Sequence, residues 1–258
     1  MKAIILAAGK GERLKEITQS IPKPMIEFKG KPVLQYNIEL CKRFGIKEIY
    51  INLYHLPGKI TEYFGDGKEF GVDINYSFEE ELLGTAGAVK KIVKDFWNIP
   101  ALQHSNTPPK GVLRTTLQSS NPFYVIYGDQ ISGFDLRLLK EKYDELINNN
   151  KECLGVVAFH YREDIIHSGV AELDDDMRIV RFIEKPKAGE TESRWVNAGV
   201  YYLSPRILEY IDDGFSDFGK QIFPFLINNH FPLYGVCGRK EVSVFDTPEM
   251  YAKLISKE

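Results

Sequence analysis

The sequence predicts an α/β fold, a mainly parallel (mixed) sheet flanked by helices, with a smaller β-rich part towards the C-terminus. Three observations carry this expectation. Short apolar runs alternate with helix-compatible stretches through the first half, the pattern of parallel strands joined by crossover helices. The first apolar run, Ala3 to Leu6, ends in small residues, Ala7, Ala8, Gly9 and Gly11. From about residue 150 the pattern shifts to strands and a hairpin. A chain of 258 residues is long enough for one large domain. A single domain over 1–258 is expected, with halves at 1–150 and 151–258 and an insertion at 98–122.

Taken in order, Ala3–Leu6 reads as a buried strand, Ile26–Gly30 as a short extended piece, and Pro32–Phe44 as an amphipathic helix. Pro32 suits a first helical position, where a missing N–H costs nothing. Gly45 stops that helix, Glu48–Leu53 is the next strand, and Pro57–Phe64 a short helix closed by Gly65-Asp66-Gly67. Val72–Phe78 is a third strand. The small-residue run Gly84–Ala88 leads into a helix over Val89–Phe96. Asn98–Pro122 is polar and Pro-rich, a length without obvious structure that reads as a lid, an interface or a surface insertion with no catalytic role.

Phe123–Tyr127 resumes as an apolar strand ending in Gly128-Asp129. Phe134–Asn148 is helical in pattern and Cys153–Tyr161 an apolar strand. Gly169–Leu173 and Ile179–Ile183 form a hairpin around a solvent-facing Asp174-Asp175-Asp176 turn. Ser204–Ile211 is a helix capped by Ser204, with Pro205 at its first position. Asp217–Asn228 is helical, kinked or interrupted at Pro224. Leu233–Val236 and Val242–Phe245 close the sheet, and a last helix starts near Thr247.

Lys and Arg total 33 against 36 Asp and Glu, a net charge of −3, so there is no basic footprint for nucleic acid. The three cysteines are widely spaced without a C-x-x-C pair, which argues against zinc and a disulfide framework. No signal-peptide pattern opens the chain and no apolar run reaches membrane-spanning length; a cytoplasmic protein without a membrane partner is expected. His160 and His167 lack ligand-like spacing and read as structural or surface histidines.

The chemistry concentrates in residues 3–25. Small residues at a strand end let backbone N–H groups approach an anion closely. Arg13 follows the turn and Lys23-Pro24 lies further on, and two fixed cations beside an anion-binding loop suit a triphosphate. The segments Gly9-Lys10-Gly11-Glu12-Arg13-Leu14 and Pro22-Lys23-Pro24 resemble the G-x-G-x-R-L and K-P signature of the sugar-1-phosphate nucleotidyltransferases. Among them the form Leu83-Gly84-Thr85-Ala86-Gly87-Ala88 looks most like the mannose-1-phosphate and heptose-1-phosphate guanylyltransferases.

That resemblance implies a Rossmann-like, glycosyltransferase-A-like fold, a nucleotide-binding half at 1–150, and a sugar-phosphate-binding half at 151–258. It implies a nucleoside triphosphate, GTP first, with a mannose- or heptose-type sugar 1-phosphate as the second substrate. CTP, UTP or dTTP are alternatives, and a homo-oligomer is allowed. Arg13 and Lys23 would be catalytic. Leu6, Ala7, Ala8, Gly9, Gly11, Glu80, Gly84, Thr85 and Gly128 would hold the nucleotide. Glu184 and Lys185, in Phe182-Ile183-Glu184-Lys185-Pro186, and Asn197 and Gly199, in Asn197-Ala198-Gly199-Val200-Tyr201, would hold the sugar phosphate. Asp129 would bind Mg²⁺.

Each motif also has a plainer reading. Gly84–Ala88 could serve tight packing, Asp129 could cap a helix, and Glu184-Lys185 could be a surface pair. The family's second metal aspartate falls on Val244 when Ser243–Glu249 is aligned without a gap, two residues before Asp246. Asp246 substitutes, or Asp129 and phosphates hold the ion alone, or activity is weakened. A nucleotide-sugar-using glycosyltransferase and a non-catalytic sensor are the rival classes; Gly128-Asp129-Gln130 lacks the second Asp of the D-x-D that glycosyltransferases usually carry.

Overall fold

A computed structural model describes residues 1–14, 16–97, 121–238, 242–244 and 251. The insertion at 98–122 lies outside them except for Asn121 and Pro122, as do Asp246 and the start of the expected last helix. Contacts divide the chain into two compact units, residues 1–82, 126–133 and 241–258 in the first and 83–125 and 134–240 in the second. The boundary expected at residue 150 falls inside the second unit, because the chain enters and leaves that unit more than once.

In the first unit β1 (Lys2–Leu6), β4 (Glu48–Leu53) and β5 (Asp73–Phe78) run parallel, with Leu6 beside Asn52 and Asn52 beside Ser77. Their interior residues Ala3, Ile4, Ile5, Ile49 and Ile51 are wholly buried, as strands covered on both faces require. The end of β6 (Phe123–Tyr127) lies on the other side of β1, where the Gly128 amide donates to the Leu6 carbonyl at 2.8 Å. A short hairpin of β2 (Glu27–Phe28) and β3 (Lys31–Pro32) precedes α2 (Val33–Arg43), which follows the short α1 (Glu16–Ser20); α3 is Pro57–Phe64. Pro32 is the residue before α2 rather than its first, because it is paired in β3. β7 (Gln130–Ser132), which the sequence pattern did not reveal, pairs with β13 (Val242–Val244).

In the second unit β8 (Gly155–Tyr161) lies between antiparallel β11 (Trp195–Leu203) and parallel β12 (Leu233–Gly238). The start of β11 also pairs with β9 (Gly169–Leu173), which forms the expected hairpin with β10 (Ile179–Glu184) around the exposed acidic turn. The helix α4 spans Gly84–Phe96, beginning five residues before the position the pattern suggests. No side chain caps it; the Ser216 carbonyl accepts from the Ala86 and Gly87 amides instead. A tertiary cap of that kind leaves no mark in the local sequence. Helix α5 (Leu136–Asn148) is capped by Asp135. Pro205–Tyr210 is a 3₁₀ helix under its Ser204 cap. The stretch after Asp217 is interrupted just ahead of Pro224, a π-helical Phe218–Ile222 giving way to α6 (Phe223–Asn228), whose first turn holds the proline.

One buried amide fixes the route from β6 into β7. Asn37 on α2 is wholly buried, and its Nδ2 donates to the Gln130 carbonyl at 2.9 Å. It thereby tethers the chain beside Asp129. Replacing Asn37 with Leu removes that donor, and losing one buried hydrogen bond costs about 1 kcal/mol. Asn37→Leu should therefore lower the urea unfolding midpoint, whereas an unchanged midpoint would show that the carbonyl finds another donor.

Candidate active site

The turn after β1 is built from its backbone. Ala7, buried, donates its amide to Asn52 Oδ1 at 2.8 Å. The next amides, those of Ala8, Gly9, Lys10 and Gly11, donate to no acceptor among the described residues. Successive N–H groups without an acceptor among the described residues are the kind of donors that backbone anion sites use. Gly11 sits at φ +65°, and a Cβ there would stand 2.8 Å from Thr18 Cγ2. Both its backbone and its neighbour therefore require glycine. Thr18 Oγ1 donates to the Gly11 carbonyl at 3.0 Å, and the Thr18 carbonyl lies 2.8 Å from His55 Nε2. Arg13 follows on an exposed 3₁₀ turn, Glu12–Leu14.

Lys23 and Asp129, assigned separate roles from the sequence, meet. The Lys23 side chain is only 7% exposed, and its Nζ lies 2.5 Å from Asp129 Oδ2. Among the described residues no group of three His, Cys, Asp or Glu could hold a metal ion. A single aspartate is nonetheless a donor set that suits Mg²⁺, which takes few protein carboxylates and completes its shell with water and phosphate oxygens. Asp246, the expected second carboxylate, lies outside the described residues. Gly128 needs to be small for a local reason: a Cβ would stand 2.8 Å from the Leu6 carbonyl. Leu6 ends β1 beside the turn.

The sequence reading singled out Glu80, which is exposed. The neighbouring Glu79 is the buried one, and its Oε1 accepts from Asn52 Nδ2 at 2.7 Å. Asn52 and Glu79 were missed. The available signal was a polar residue inside the otherwise apolar run Ile49–Leu53 and a carboxylate placed directly after β5.

Thr85, Glu184, Lys185, Asn197 and Gly199 all belong to the second unit. Pairing between β11 and β8 shifts register between Asn197 and Tyr201. In that bulge Gly199 takes φ +61°, Asn197 Oδ1 accepts from the Gly199 amide at 2.9 Å, and Asn197 Nδ2 donates to the Tyr201 hydroxyl at 2.8 Å. A bulge of this kind re-aims side chains out of the ladder. Lys185, exposed, is held at φ +55° directly after β10. Non-glycine residues in that region carry strain and cluster at functional sites.

Glu184 is half-buried, and its carboxylate accepts no hydrogen bond from a described residue. Gly169 and Gly219 make room for it: a Cβ at either would stand 2.8 Å from Glu184 Oε2. Burial, reinforced by the Asp217 charge, pushes its pKa above the ordinary carboxylate value. Asp217 Oδ2 in turn accepts from Thr85 Oγ1 at 3.1 Å, and Thr85 Oγ1 accepts from the Phe218 amide. Gly84 takes φ +71°, with a would-be Cβ 2.5 Å from the Ser216 carbonyl. Its smallness, and that of Gly87 against the Gly214 carbonyl, thus follows from close packing of the 214–216 backbone. His160 is buried and its pKa is pushed down to about 4 by burial and by Arg162, as befits a neutral structural histidine; His167 is exposed.

Glu184 gives a stability prediction. In the folded chain it keeps its proton to higher pH than in the unfolded chain. Above its ordinary value of 4.5 the folded state therefore binds more protons, and stability falls as pH rises through the raised pKa. Glu184→Gln should be more stable than the wild type at neutral pH, the difference vanishing below the ordinary value. Equal urea midpoints for the two proteins at both pH values would contradict the burial penalty.

Residues 2–242 match the family model described as nucleotidyl transferase. A UTP–glucose-1-phosphate uridylyltransferase from Synechocystis is 34% identical over 92% of this chain, and a D-glycero-alpha-D-manno-heptose 1-phosphate guanylyltransferase from Campylobacter jejuni is 34% identical over 86%. The chain spans 58% of the length of the first relative and 80% of the second. The crystal structure of HddC from Yersinia pseudotuberculosis complexed with GMP-PN superimposes with a TM-score of 0.71 at 23% identity, covering 99% of this chain and 98% of that one, a likeness of fold. No described helix is long and apolar enough to cross a membrane. With a family model covering nearly its whole length and relatives at this identity, the chain belongs to the nucleotidyl transferase family.

Proposed function

We propose that this protein transfers a nucleotidyl group from a nucleoside triphosphate to a sugar 1-phosphate, giving a nucleoside diphosphate sugar and pyrophosphate. The observation that carries the reading is the run of amides at Ala8–Gly11 without an acceptor among the described residues, in the unit that also holds the Lys23–Asp129 pair. An oxygen of the sugar phosphate attacks the α-phosphorus, the bond from that phosphorus to the bridging oxygen breaks, and pyrophosphate leaves with the electron pair. The nucleophile is already anionic, so no side chain need remove a proton. The protein's task is orientation and charge neutralisation. The amides of the turn bind phosphate oxygens, while Arg13 and Lys23 offset the charge that builds on the departing pyrophosphate. Magnesium held at Asp129 would supply further neutralisation of phosphate oxygens.

Glu184, Lys185, Asn197 and Gly199 serve the sugar phosphate. A half-buried carboxylate between two glycines is an acceptor suited to sugar hydroxyls, and Lys185 offers a cation to the phosphate. GTP with a manno-configured sugar is the first candidate, supported by the Leu83–Ala88 segment and by the name of the Campylobacter relative. UTP with glucose 1-phosphate is the second, supported by the equally identical Synechocystis relative. Cytoplasmic nucleotide-sugar synthesis is the setting that fits both.

Pyrophosphate release measured over a matrix of nucleoside triphosphates and sugar 1-phosphates tests the reading. Turnover in at least one pairing is expected, and none in any pairing with magnesium present would overturn it. Arg13→Ala and Lys23→Ala should each lower kcat roughly 10²-fold or more, the scale of losing one preorganised charge-stabilising group. Normal turnover in both variants would remove these residues from the mechanism. Glu184→Gln should raise KM for the sugar phosphate and leave KM for the triphosphate unchanged; the reverse pattern would reassign Glu184.

A further inference from the structure

Where β1 ends, Ala7 no longer has a ladder partner for its amide, and the Asn52 side chain supplies one. The same side chain donates to Glu79, the residue after β5, whose own amide is held by the Leu53 carbonyl at 2.9 Å. Asn52 is 4% exposed and Glu79 8%. The polarity of this bridge is forced. Ala7 N–H can only donate, so Asn52 Oδ1 faces it and Nδ2 is left to donate to the Glu79 carboxyl oxygen. Asn52 is thereby fixed at both ends, and it pins the residue immediately before the amides that have no acceptor among the described residues.

We propose that Asn52 is a positioning residue for the phosphate-binding turn, held in its working orientation by Glu79. It touches no substrate. It sets the direction in which the chain leaves β1, and so where the amides of Ala8–Gly11 point. This rests on the reading of that turn as the triphosphate site. An anion cradle gains its strength from donors aligned before the ligand arrives, so loosening the first anchor weakens all of them.

Changing the polarity of the bridge tests this in the full-length protein. Asn52→Asp sets two carboxylates against each other, while Asn52→Asp combined with Glu79→Gln rebuilds both hydrogen bonds at unchanged net charge. Inorganic tripolyphosphate, which lacks base and sugar, is the binding probe, read by calorimetry beside pyrophosphate release and thermal unfolding. Asn52→Asp should bind tripolyphosphate about tenfold or more weakly and raise KM for the nucleoside triphosphate with KM for the sugar phosphate little changed. The double variant should recover most of that loss. Should Asn52→Asp fail to fold, Glu79→Gln and the double variant carry the comparison. In Glu79→Gln the new side-chain amide oxygen can still accept from Asn52, so both variants should retain binding, and a folded double variant without it would overturn the proposal.

Wild-type tripolyphosphate affinity in a folded Asn52→Asp protein would overturn the proposal, as would a folded double variant that binds no better than Asn52→Asp. Loss of thermal stability with unchanged affinity would show a purely structural bridge and also overturn it. A wild type that binds tripolyphosphate yet turns over no substrate pair would instead defeat the proposed reaction, leaving the positioning role to stand or fall on the binding data.

Discussion

Backbone donors seek partners, and in the turn after β1 those of Ala8–Gly11 have no acceptor among the described residues. Holding such donors in place for a ligand requires the surrounding structure to fix the turn. Much of the first unit reads as that support. Asn52 anchors the turn at Ala7, Thr18 braces it at the Gly11 carbonyl, and the Gly128 amide holds the end of β1 through Leu6. Lys23 is buried near the same segment, its Cβ within 3.1 Å of where a Gly11 Cβ would stand, with its charge countered by Asp129. In the proposed reaction these donors and Lys23 would receive the phosphates.

In the proposed reaction the second unit would hold the sugar, whose hydroxyls call for an acceptor with spare capacity. Glu184 meets that need because Gly169 and Gly219 leave it space, and because no described residue donates to it. Its raised pKa is the consequence of burial and the Asp217 charge, which outweigh the opposing pull of Lys185 and Lys220. Asp217 keeps its own acceptors occupied by Thr85 and by the Lys220 amide, so it acts on Glu184 through charge.

The sequence disclosed what depends on local pattern. Strands such as Glu48–Leu53 and Phe123–Tyr127, the helix Pro57–Phe64 and the acidic hairpin were all legible, since apolar runs and turn residues mark them directly. The family itself was legible too, since the motifs that resemble it lie within the residues that the family model matches. Hidden from it was everything set by a distant partner. The start of α4 depends on the Ser216 carbonyl, and β7 exists because β13 pairs with it. Asn52 and Glu79 escaped notice for the same reason: a single polar side chain in a strand reveals its importance only when its partners are known. Gly84, Gly87 and Gly128 taught the converse, for their small size answers to neighbouring backbone.

The central claim is that the amides following β1 are the phosphate site. Backbone amide NMR of the wild-type protein, titrated with the nucleoside triphosphate that supports turnover, tests it directly. The largest shifts should fall on Ala8, Gly9, Lys10 and Gly11 and saturate with the affinity of the triphosphate. Saturable shifts confined to other segments, with these amides unmoved, would contradict the account.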